Sequence, residues 1–200
     1  NQHYVYSGRA LLATDLDGWA TGRGTEGFYF GNTRLLSRFE VRVDDATWRP
    51  AAVSRAGHEA SFACYEADAS ASIPGRTLYL AVRQRVDEGL RSELELTNYA
   101  RDGELRFTLD MLLDADFADS DEAEQGCRRQ SAPVDRTWDD DERMLTFRTM
   151  HPGLDRAVAV KVEGAATGVD WDGCALHMPI ALAARQTFAV QLAVEPQFEG

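Results

Sequence analysis

The stretch LYLAVRQRVDEGLRSELELTN, residues 78–98, decides the fold because its apolar residues alternate with polar ones. Leu78 and Leu80 occupy one face of an extended chain in the first half, and Leu94 and Leu96 do so in the second. The DEG between the two halves supplies a glycine for a tight turn. The stretch therefore predicts a β-hairpin that turns one face toward a core.

The same period-two alternation continues on both sides of the hairpin. The run ELRFTLDMLL, residues 104–113, follows the turn YARDG and predicts a third antiparallel strand, so that the three strands form a meander. Further alternating runs are SRFEVRV, RAVAVKV, ALHMPI and TFAVQLAV, separated by turn-forming segments such as HPGLD and DWDG. A short helical turn is expected near DEAEQGCRRQ. The sequence predicts an all-β fold, an antiparallel β-sandwich with little helix, in a single domain that spans residues 1–200.

Composition excludes several classes of partner. The 200 residues include 33 acidic and 21 basic side chains, which gives a formal charge of −12. Such a charge disfavours nucleic acid and anionic membranes, because phosphates are bound by lysine and arginine. Three widely spaced cysteines, Cys64, Cys127 and Cys174, favour free thiols in a reducing compartment. We therefore expect a cytoplasmic protein that binds neither nucleic acid nor membrane.

The acidic stretch LLDADFADSDEAEQG, residues 112–126, suggests three different kinds of site. A calcium loop beginning at Asp114 fails, because its fifth position is Ala118 and its sixth is an aspartate instead of the required glycine. A noncanonical cation site formed by Asp116, Asp119 and Asp121 stays open as an alternative, although bunched carboxylates in a loop are more often solvated. A glycosidase pair would hold Asp116 and Asp119 about 5 to 10 Å apart across a sugar bond, yet residues three apart on an extended chain face opposite ways. We predict that these two carboxylates stabilise the fold and that the remaining SDEAEQG is a solvated loop.

Other patterns of catalytic or metal-binding residues are missing from the sequence. The four histidines and three cysteines show no HxH, HExxH or CxxC spacing. There is no GxSxG elbow and no glycine-rich phosphate loop. The sequence predicts no metal, no cofactor and no catalytic residue in this chain.

Two tryptophans are candidate substrate-binding residues. Trp19 and Trp138 lie in polar, turn-rich sequence, and an exposed indole offers an apolar face suited to the C–H edges of a sugar ring. The alternative for both is packing against the core, where most tryptophans are found. Their exposure decides between the two roles.

Three segments together carry a family resemblance. They are LLATDLDG (residues 11–18), EGFYFGNTRLLSRFEVRV (26–43) and LTNYARDGELRFTLDMLLDADFADSDE (96–122). They resemble the N-terminal domain of bacterial and archaeal glycogen debranching enzymes, the amylo-α-1,6-glucosidase-like proteins. The chain departs from the family pattern at Asn32, where an aspartate commonly precedes Thr-Arg. It also departs at SDEAEQG, which replaces the Phe-Glu-Val-Arg-Gly that often follows Asp-Phe-Ala-Asp.

The resemblance implies a β-sandwich of the supersandwich type, similar in shape to galactose mutarotases. In that family the catalytic acids lie in an α/α-toroid domain, which is absent from this chain and is expected downstream in the parent protein. The resemblance therefore implies a non-catalytic N-terminal domain of an α-glucan glycoside hydrolase. Its partners would be the toroid of the same parent chain and, in substrate positioning, an α-glucan. Fold analogy alone does not define a sugar site.

A structural ion pair is expected to join two of these segments. Arg34 and Arg38 flank the apolar LLS run, and a guanidinium in such a place commonly binds a carboxylate in bidentate fashion. We predict that one of them pairs with Asp116 or Asp119. The alternative is that both arginines extend over the sheet edge toward solvent.

Two other functions stay open at the level of sequence. An independent carbohydrate-binding module would carry two or more aromatic faces along an exposed groove. An aldose-epimerase-like enzyme would need a histidine that converges with a carboxylate for proton transfer, and His151 and His177 are the candidates.

Overall fold

Strands dominate the chain in the computed structural model, which describes residues 2–44, 46–126, 132–151, 154–164 and 167–197. The elements are β1 (His3–Ser7), β2 (Ala10–Thr14), β3 (Ala20–Thr21), β4 (Gly27–Phe30), β5 (Thr33–Leu36), β6 (Arg38–Val43), β7 (Trp48–Ala56), β8 (Ala60–Ala67), β9 (Leu78–Val86), β10 (Leu90–Asn98), β11 (Glu104–Asp114), α1 (Ser120–Gln125), β12 (Val134–Asp139), β13 (Met144–His151), β14 (Leu154–Gly164), β15 (Asp170–Trp171), β16 (Ala175–Ala183) and β17 (Thr187–Gln197). In the described part of the chain, no helix is long and apolar enough to cross a membrane.

The strands form three antiparallel sheets. An eight-stranded sheet has the order β12-β13-β14-β17-β10-β9-β8-β7, a five-stranded sheet the order β15-β16-β11-β6-β3, and a four-stranded sheet the order β1-β2-β4-β5. Strands of the eight-stranded sheet contact β1, β2 and β5 of the four-stranded sheet and β16 of the five-stranded sheet. All three sheets contribute to one hydrophobic core. The predicted all-β antiparallel sandwich is confirmed.

The hairpin predicted over residues 78–98 forms as β9 and β10. Their register pairs Val86 with Leu90 and Val82 with Leu94, and these side chains are buried. Arg83 and Glu93 are paired on the opposite face, where both are exposed. The alternation in the sequence therefore places the apolar set inside and the charged set outside.

The predicted meander is wrong at its third strand. The second neighbour of β10 is β17, whereas β11 lies in the five-stranded sheet between β16 and β6. Asn98 lies where the chain passes from one sheet to the other, and its buried side chain donates from Nδ2 to the Leu182 carbonyl at 2.9 Å and accepts the Ala100 amide at 2.9 Å. These bonds end β10 and connect it to a strand of the facing sheet. Period-two alternation fixes the face of a strand but carries no information about which strand lies beside it.

Candidate functional site

Two segments that are far apart in the sequence meet at the edge of the four-stranded sheet. The amide of Arg34 in β5 donates to the Ala118 carbonyl at 2.8 Å, and Thr33 forms an isolated β-bridge with Asp119. The amide of Ser37 donates to the Asp114 carbonyl at 2.9 Å. The segment after β11 therefore lies along β5 like a short additional strand.

The guanidinium of Arg34 holds this meeting point together. It donates from Nε to Asp116 Oδ1 at 3.1 Å and from Nη2 to Asp116 Oδ2 at 2.5 Å. Its Nη1 donates to the carbonyl oxygens of Gly24 at 2.6 Å and Glu26 at 3.1 Å. We call these four residues the Arg34 junction. A planar, permanently charged fork matches a carboxylate in this bidentate way, so the bonds fix orientation as well as distance.

The Arg34 junction is largely buried, so its charges interact more strongly than they would at the surface. Arg34 is 6% exposed as a whole residue, while the side chain of Asp116 keeps 28% of its surface in water. Burial alone opposes the charge on Arg34, but the hydrogen bonds and negative charge of Asp116 outweigh it, so the pKa of Arg34 is raised. The neighbouring Tyr29 phenol is also desolvated, which raises its pKa. Arg34 therefore keeps the positive charge that its hydrogen bonds to Asp116 require.

Backbone geometry makes room for the arginine side chain. Gly27 pairs across the sheet with Ala13 and has φ +144°. A Cβ at this position would lie 2.6 Å from Arg34 Cδ and 2.5 Å from the Leu36 carbonyl oxygen. Only glycine leaves this space open, so Gly27 is part of the support for Arg34.

The segment that carries Asp116 turns sharply. Phe117 has φ +53°, which is strained for a bulky residue, and its side chain is buried. Asp116 Oδ1 also accepts the Ala118 amide at 3.3 Å. The turn brings the carboxylate to Arg34 while the following Asp119 starts the helix α1.

The predicted solvated loop after Asp119 is wrong, because residues 120–125 form α1. Asp119 accepts the Glu122 amide at 2.8 Å, and the Glu122 carboxylate accepts the Asp119 amide at 3.0 Å. This reciprocal capping box satisfies two amides that would otherwise lack partners at the helix start. Glu122 and Ala123 are buried. The pattern Asp-x-x-Glu was visible in the sequence and predicts the observed helix start. The short helical turn expected nearby is confirmed over these residues, and the rest of that segment, residues 127–131, lies outside the described residues.

A hydrogen bond joins the two places where the sequence departs from the family pattern, Asn32 and the segment that begins at Ser120. Asn32 Oδ1 accepts a hydrogen bond from Ser120 Oγ at 2.6 Å. This bond joins the turn before β5 to the first residue of α1. A neutral pair therefore occupies the place where the resemblance had suggested a charge-dependent contact.

The other members of the predicted ion pair lie elsewhere. Arg38 donates to Glu40 Oε2 at 2.8 Å from Nη2 and at 3.2 Å from Nε, and Arg42 donates to the other oxygen of Glu40 at 2.9 Å. Asp119 caps α1, as described above. The structure thus brings together Arg34 and Asp116 and gives Arg38 and Asp119 separate local partners.

Trp19 packs in the core with little exposed surface. Its ring stacks on Tyr65 at a centroid distance of 4.8 Å and an interplanar angle of 21°. The residue is 7% exposed, and the Tyr65 hydroxyl donates to the Asp17 carbonyl. A cleft of about 380 Å³ includes Trp19 and Trp48 in its lining. The exposed fraction therefore favours the packing role for Trp19.

Trp138 occupies the edge strand β12. Its side chain is half-buried against the core, and Nε1 donates to Asp140 Oδ1 at 3.4 Å. Arg136 on the same strand donates to Asp114 at 2.7 Å. This position leaves part of the indole at the surface but shows no second aromatic face beside it in the described residues.

His177 lies in a carboxylate clamp on the outer side of the five-stranded sheet. Its Nδ1 is 2.7 Å from Asp110 Oδ1 and its Nε2 is 3.1 Å from Asp172 Oδ2. These hydrogen bonds raise the pKa of His177. The amides of Ala175 and Cys174, together with His177, lower the pKa of Asp172 to about 2. Both ring nitrogens are engaged, so the clamp presents no free nitrogen to a substrate, and the side chain of His151 lies outside the described residues.

Metal binding has no candidate cluster in the part of the chain that the structure describes. No group of three or more histidine, cysteine, aspartate or glutamate side chains there is arranged to hold an ion. Cys64 and Cys174 are free thiols, and Cys127 lies outside the described residues.

Sequence reasoning missed the loop that closes the Arg34 junction. The Glu26 carboxylate is buried and accepts both the amide of Thr21 at 2.8 Å and its hydroxyl at 2.6 Å. Gly24 and Glu26 then present backbone oxygens to Arg34. Backbone acceptors leave no signal in side-chain identity, so only a structure reveals them.

The fold is shared with a solved protein structure. A chain named as a putative kojibiose phosphorylase from the human microbiome superposes with a TM-score of 0.66 at 8% sequence identity. The match covers 98% of this chain and 30% of the other, so the present chain spans less than a third of that protein. At this identity the likeness establishes the fold alone. No curated protein matches the chain.

The sequence itself matches a family model over residues 5–193, which is described as the N-terminal domain of some glycogen debranching enzymes. The chain belongs to this family. The motifs that suggested it, including Arg34 and Asp116, lie inside the matched range.

Proposed function

We propose that this chain is the non-catalytic N-terminal domain of an amylo-α-1,6-glucosidase-like glycoside hydrolase and that it packs against a catalytic domain of the same parent chain. The family match over residues 5–193 carries the proposal. The multidomain length of the phosphorylase with the same fold supports it, since this chain corresponds to 30% of that protein. In this role the domain stabilises its neighbour and helps to position an α-glucan.

Strand pairing suggests where the catalytic domain would pack. Ala157 in β14 pairs with Gln197 on one side and with Arg148 on the other. Two residues further along β13, Met150 pairs with Asp155. We call Met150, Asp155 and Gln197 the exit end. Met150 is 66% exposed, the highest value among the large hydrophobic side chains that the structure describes. Such an exposed apolar side chain suits a domain interface.

The chemistry of the described polar clusters supports a non-catalytic role. Arg34 uses all three guanidinium nitrogens on protein acceptors, and His177 uses both ring nitrogens. A general acid or base needs a proton-transferring atom within reach of substrate, and neither cluster presents one. We also place the parent enzyme in the cytoplasm, which the free thiols of Cys64 and Cys174 favour.

Activity measurements on two lengths of chain test this proposal. The 200-residue chain and a longer chain that includes the sequence following residue 200 are incubated with a branched limit dextrin. We expect glucose release from α-1,6 branch points by the longer chain only. Release by the 200-residue chain itself would overturn the non-catalytic assignment.

A further inference from the structure

We infer that a shallow cleft beside Tyr4 is a binding site for a neutral oligosaccharide. The cleft measures about 530 Å³, and its lining includes Gln2, Tyr4, Arg23, Thr25 and Glu124. We call it the Tyr4 cleft. Its volume falls within the range of small-molecule sites. The choice of an α-glucan as its ligand rests on the proposed function, whereas the cleft itself rests on the geometry below.

Tyr4 supplies an aromatic platform at this cleft. It is 43% exposed on β1 and follows the strand alternation, because the next residue, Val5, is buried. Its hydroxyl donates to Gln2 Oε1 at 2.8 Å, and Thr25 Oγ1 donates to the same oxygen at 3.0 Å. The ring is thereby held by its polar end while its apolar body remains accessible. An aromatic face of this kind packs against the C–H edges of a pyranose.

The charges around the platform suit a neutral polyol. Arg23 and Glu124 are exposed, of opposite sign and in the same cleft lining. In the described part of the chain neither has an ion-pair partner. An anion would meet the carboxylate and a cation would meet the guanidinium, whereas a sugar hydroxyl both donates and accepts hydrogen bonds. The pair therefore favours a ligand with many hydroxyls and no net charge.

One wall of the Tyr4 cleft is fixed in advance by the Arg34 junction. Gly24 and Glu26, which also belong to the cleft lining, accept hydrogen bonds from Arg34 through their carbonyl oxygens. The Glu26 carboxylate is bound by Thr21. A wall that is ordered before binding lowers the entropy cost of association.

Another lining residue, Glu124, connects the cleft to the proposed domain interface. Glu124 belongs to α1, whose start is fixed by its capping box. Asp119 and Glu122 of the same segment interact electrostatically with Arg156, which follows Asp155 of the exit end. An oligosaccharide in the Tyr4 cleft would therefore lie on the side of the molecule where the catalytic domain is proposed to pack.

Titration with maltoheptaose, followed by amide chemical shifts of the 200-residue chain, tests the site. We expect saturable shifts at Tyr4, Thr25 and Glu124. Tyr4→Ala should raise the dissociation constant about tenfold through loss of the aromatic platform. Tyr4→Phe keeps the ring and should change it less than about twofold. Tyr99→Ala removes another exposed tyrosine, which does not belong to the cleft lining, and serves as the matched control.

Different results would contradict the Tyr4 cleft and the proposed function. Binding that Tyr4→Ala leaves unchanged, in a variant whose thermal melt matches the parent chain, would overturn the Tyr4 cleft as the site. No shift at any maltoheptaose concentration would also overturn it and would leave the assays of the longer chain unaffected. A longer chain without debranching activity would overturn the proposed function while leaving a positive titration intact.

Discussion

Arg34 and Asp116 are separated by 82 positions in the sequence, yet they share two parallel hydrogen bonds. The pair connects the first residues of β5 to the turn that follows β11. It also orders the loop that contains Gly24 and Glu26. The guanidinium of Arg34 thus connects three segments: β5, the turn after β11, and the loop that contains Gly24 and Glu26.

Removing the negative charge of Asp116 should destabilise the fold strongly. Asp116→Asn keeps the shape of the side chain but leaves the buried Arg34 without a counter-ion. We expect the free energy of unfolding, measured with urea, to fall by about 3 kcal/mol, near the lower end for a broken buried pair because Asp116 is partly exposed.

A surface pair of the same chemistry is the matched control. Arg49 Nη2 lies 2.6 Å from Asp68 Oδ1, and both side chains are well exposed. Asp68→Asn should cost less than about 1 kcal/mol, because solvent screens the charges. Equal losses for Asp116→Asn and Asp68→Asn would show that the Arg34 junction does not stabilise the fold as described.

Gly27→Ala should disrupt the Arg34 junction from the opposite side. The added methyl would come within 2.6 Å of Arg34 Cδ and 2.5 Å of the Leu36 carbonyl oxygen. We expect a loss of about 3 kcal/mol from overpacking together with the unfavourable positive φ. Thermal or urea unfolding measures it.

Gly8→Ala separates the backbone contribution from the steric one. Gly8 has φ +56°, and a Cβ there would have no neighbour within 4 Å. Its replacement should cost about 1 kcal/mol for the left-handed conformation alone. If Gly27→Ala and Gly8→Ala lower the free energy of unfolding by the same amount, the close approach of Arg34 to Gly27 does not contribute to stability.

The carboxylate clamp around His177 should make stability depend on pH. When the ring is doubly protonated both flanking carboxylates accept a hydrogen bond from it, so the pKa of His177 is raised above its ordinary value. The resulting stabilisation is fully present below the unfolded-state pKa of about 6.5 and is lost as the pH rises through the folded-state pKa. An NMR titration of the imidazole should give a pKa above 6.5.

The depressed pKa of Asp172 acts in the opposite pH range. Its value of about 2 means that the corresponding stabilisation is present above the unfolded-state value of 3.8 and is lost as the pH falls toward 2. His177→Gln should flatten the loss of melting temperature above neutral pH, and it should weaken the acid limb only in part, because the Ala175 and Cys174 amides remain the main causes of the lowered pKa of Asp172. A histidine that titrates below 6.5 in the folded chain would contradict the clamp.

Local patterns in the sequence predicted the faces of the strands well. Leu78 to Val86 and Leu90 to Asn98 bury the residues that alternation placed inside, and they pair as a hairpin. The assignment of β11 to the same sheet failed, because strand neighbours depend on long-range contacts such as the bond from Asn98 to Leu182. Neither residue type nor spacing reveals that bond.

The candidate site, like the fold, could be predicted from the sequence only in part. An arginine before an apolar strand predicted a bidentate carboxylate partner, and the structure places Asp116 beside Arg34. The backbone oxygens of Gly24 and Glu26 had no sequence signal. The capping box of Asp119 and Glu122 did have one, because the Asp-x-x-Glu spacing is typical of a helix start and favours a helix over the predicted solvated loop.

Hydrogen exchange would reveal the proposed packing of this domain against a catalytic neighbour. The exchange of the 200-residue chain is compared with that of the longer chain that includes the sequence following residue 200. We predict that the amides around Met150 at the exit end exchange about tenfold more slowly in the longer chain, while those around Tyr99 are unchanged. Equal exchange at Met150 in the two chains would contradict this packing.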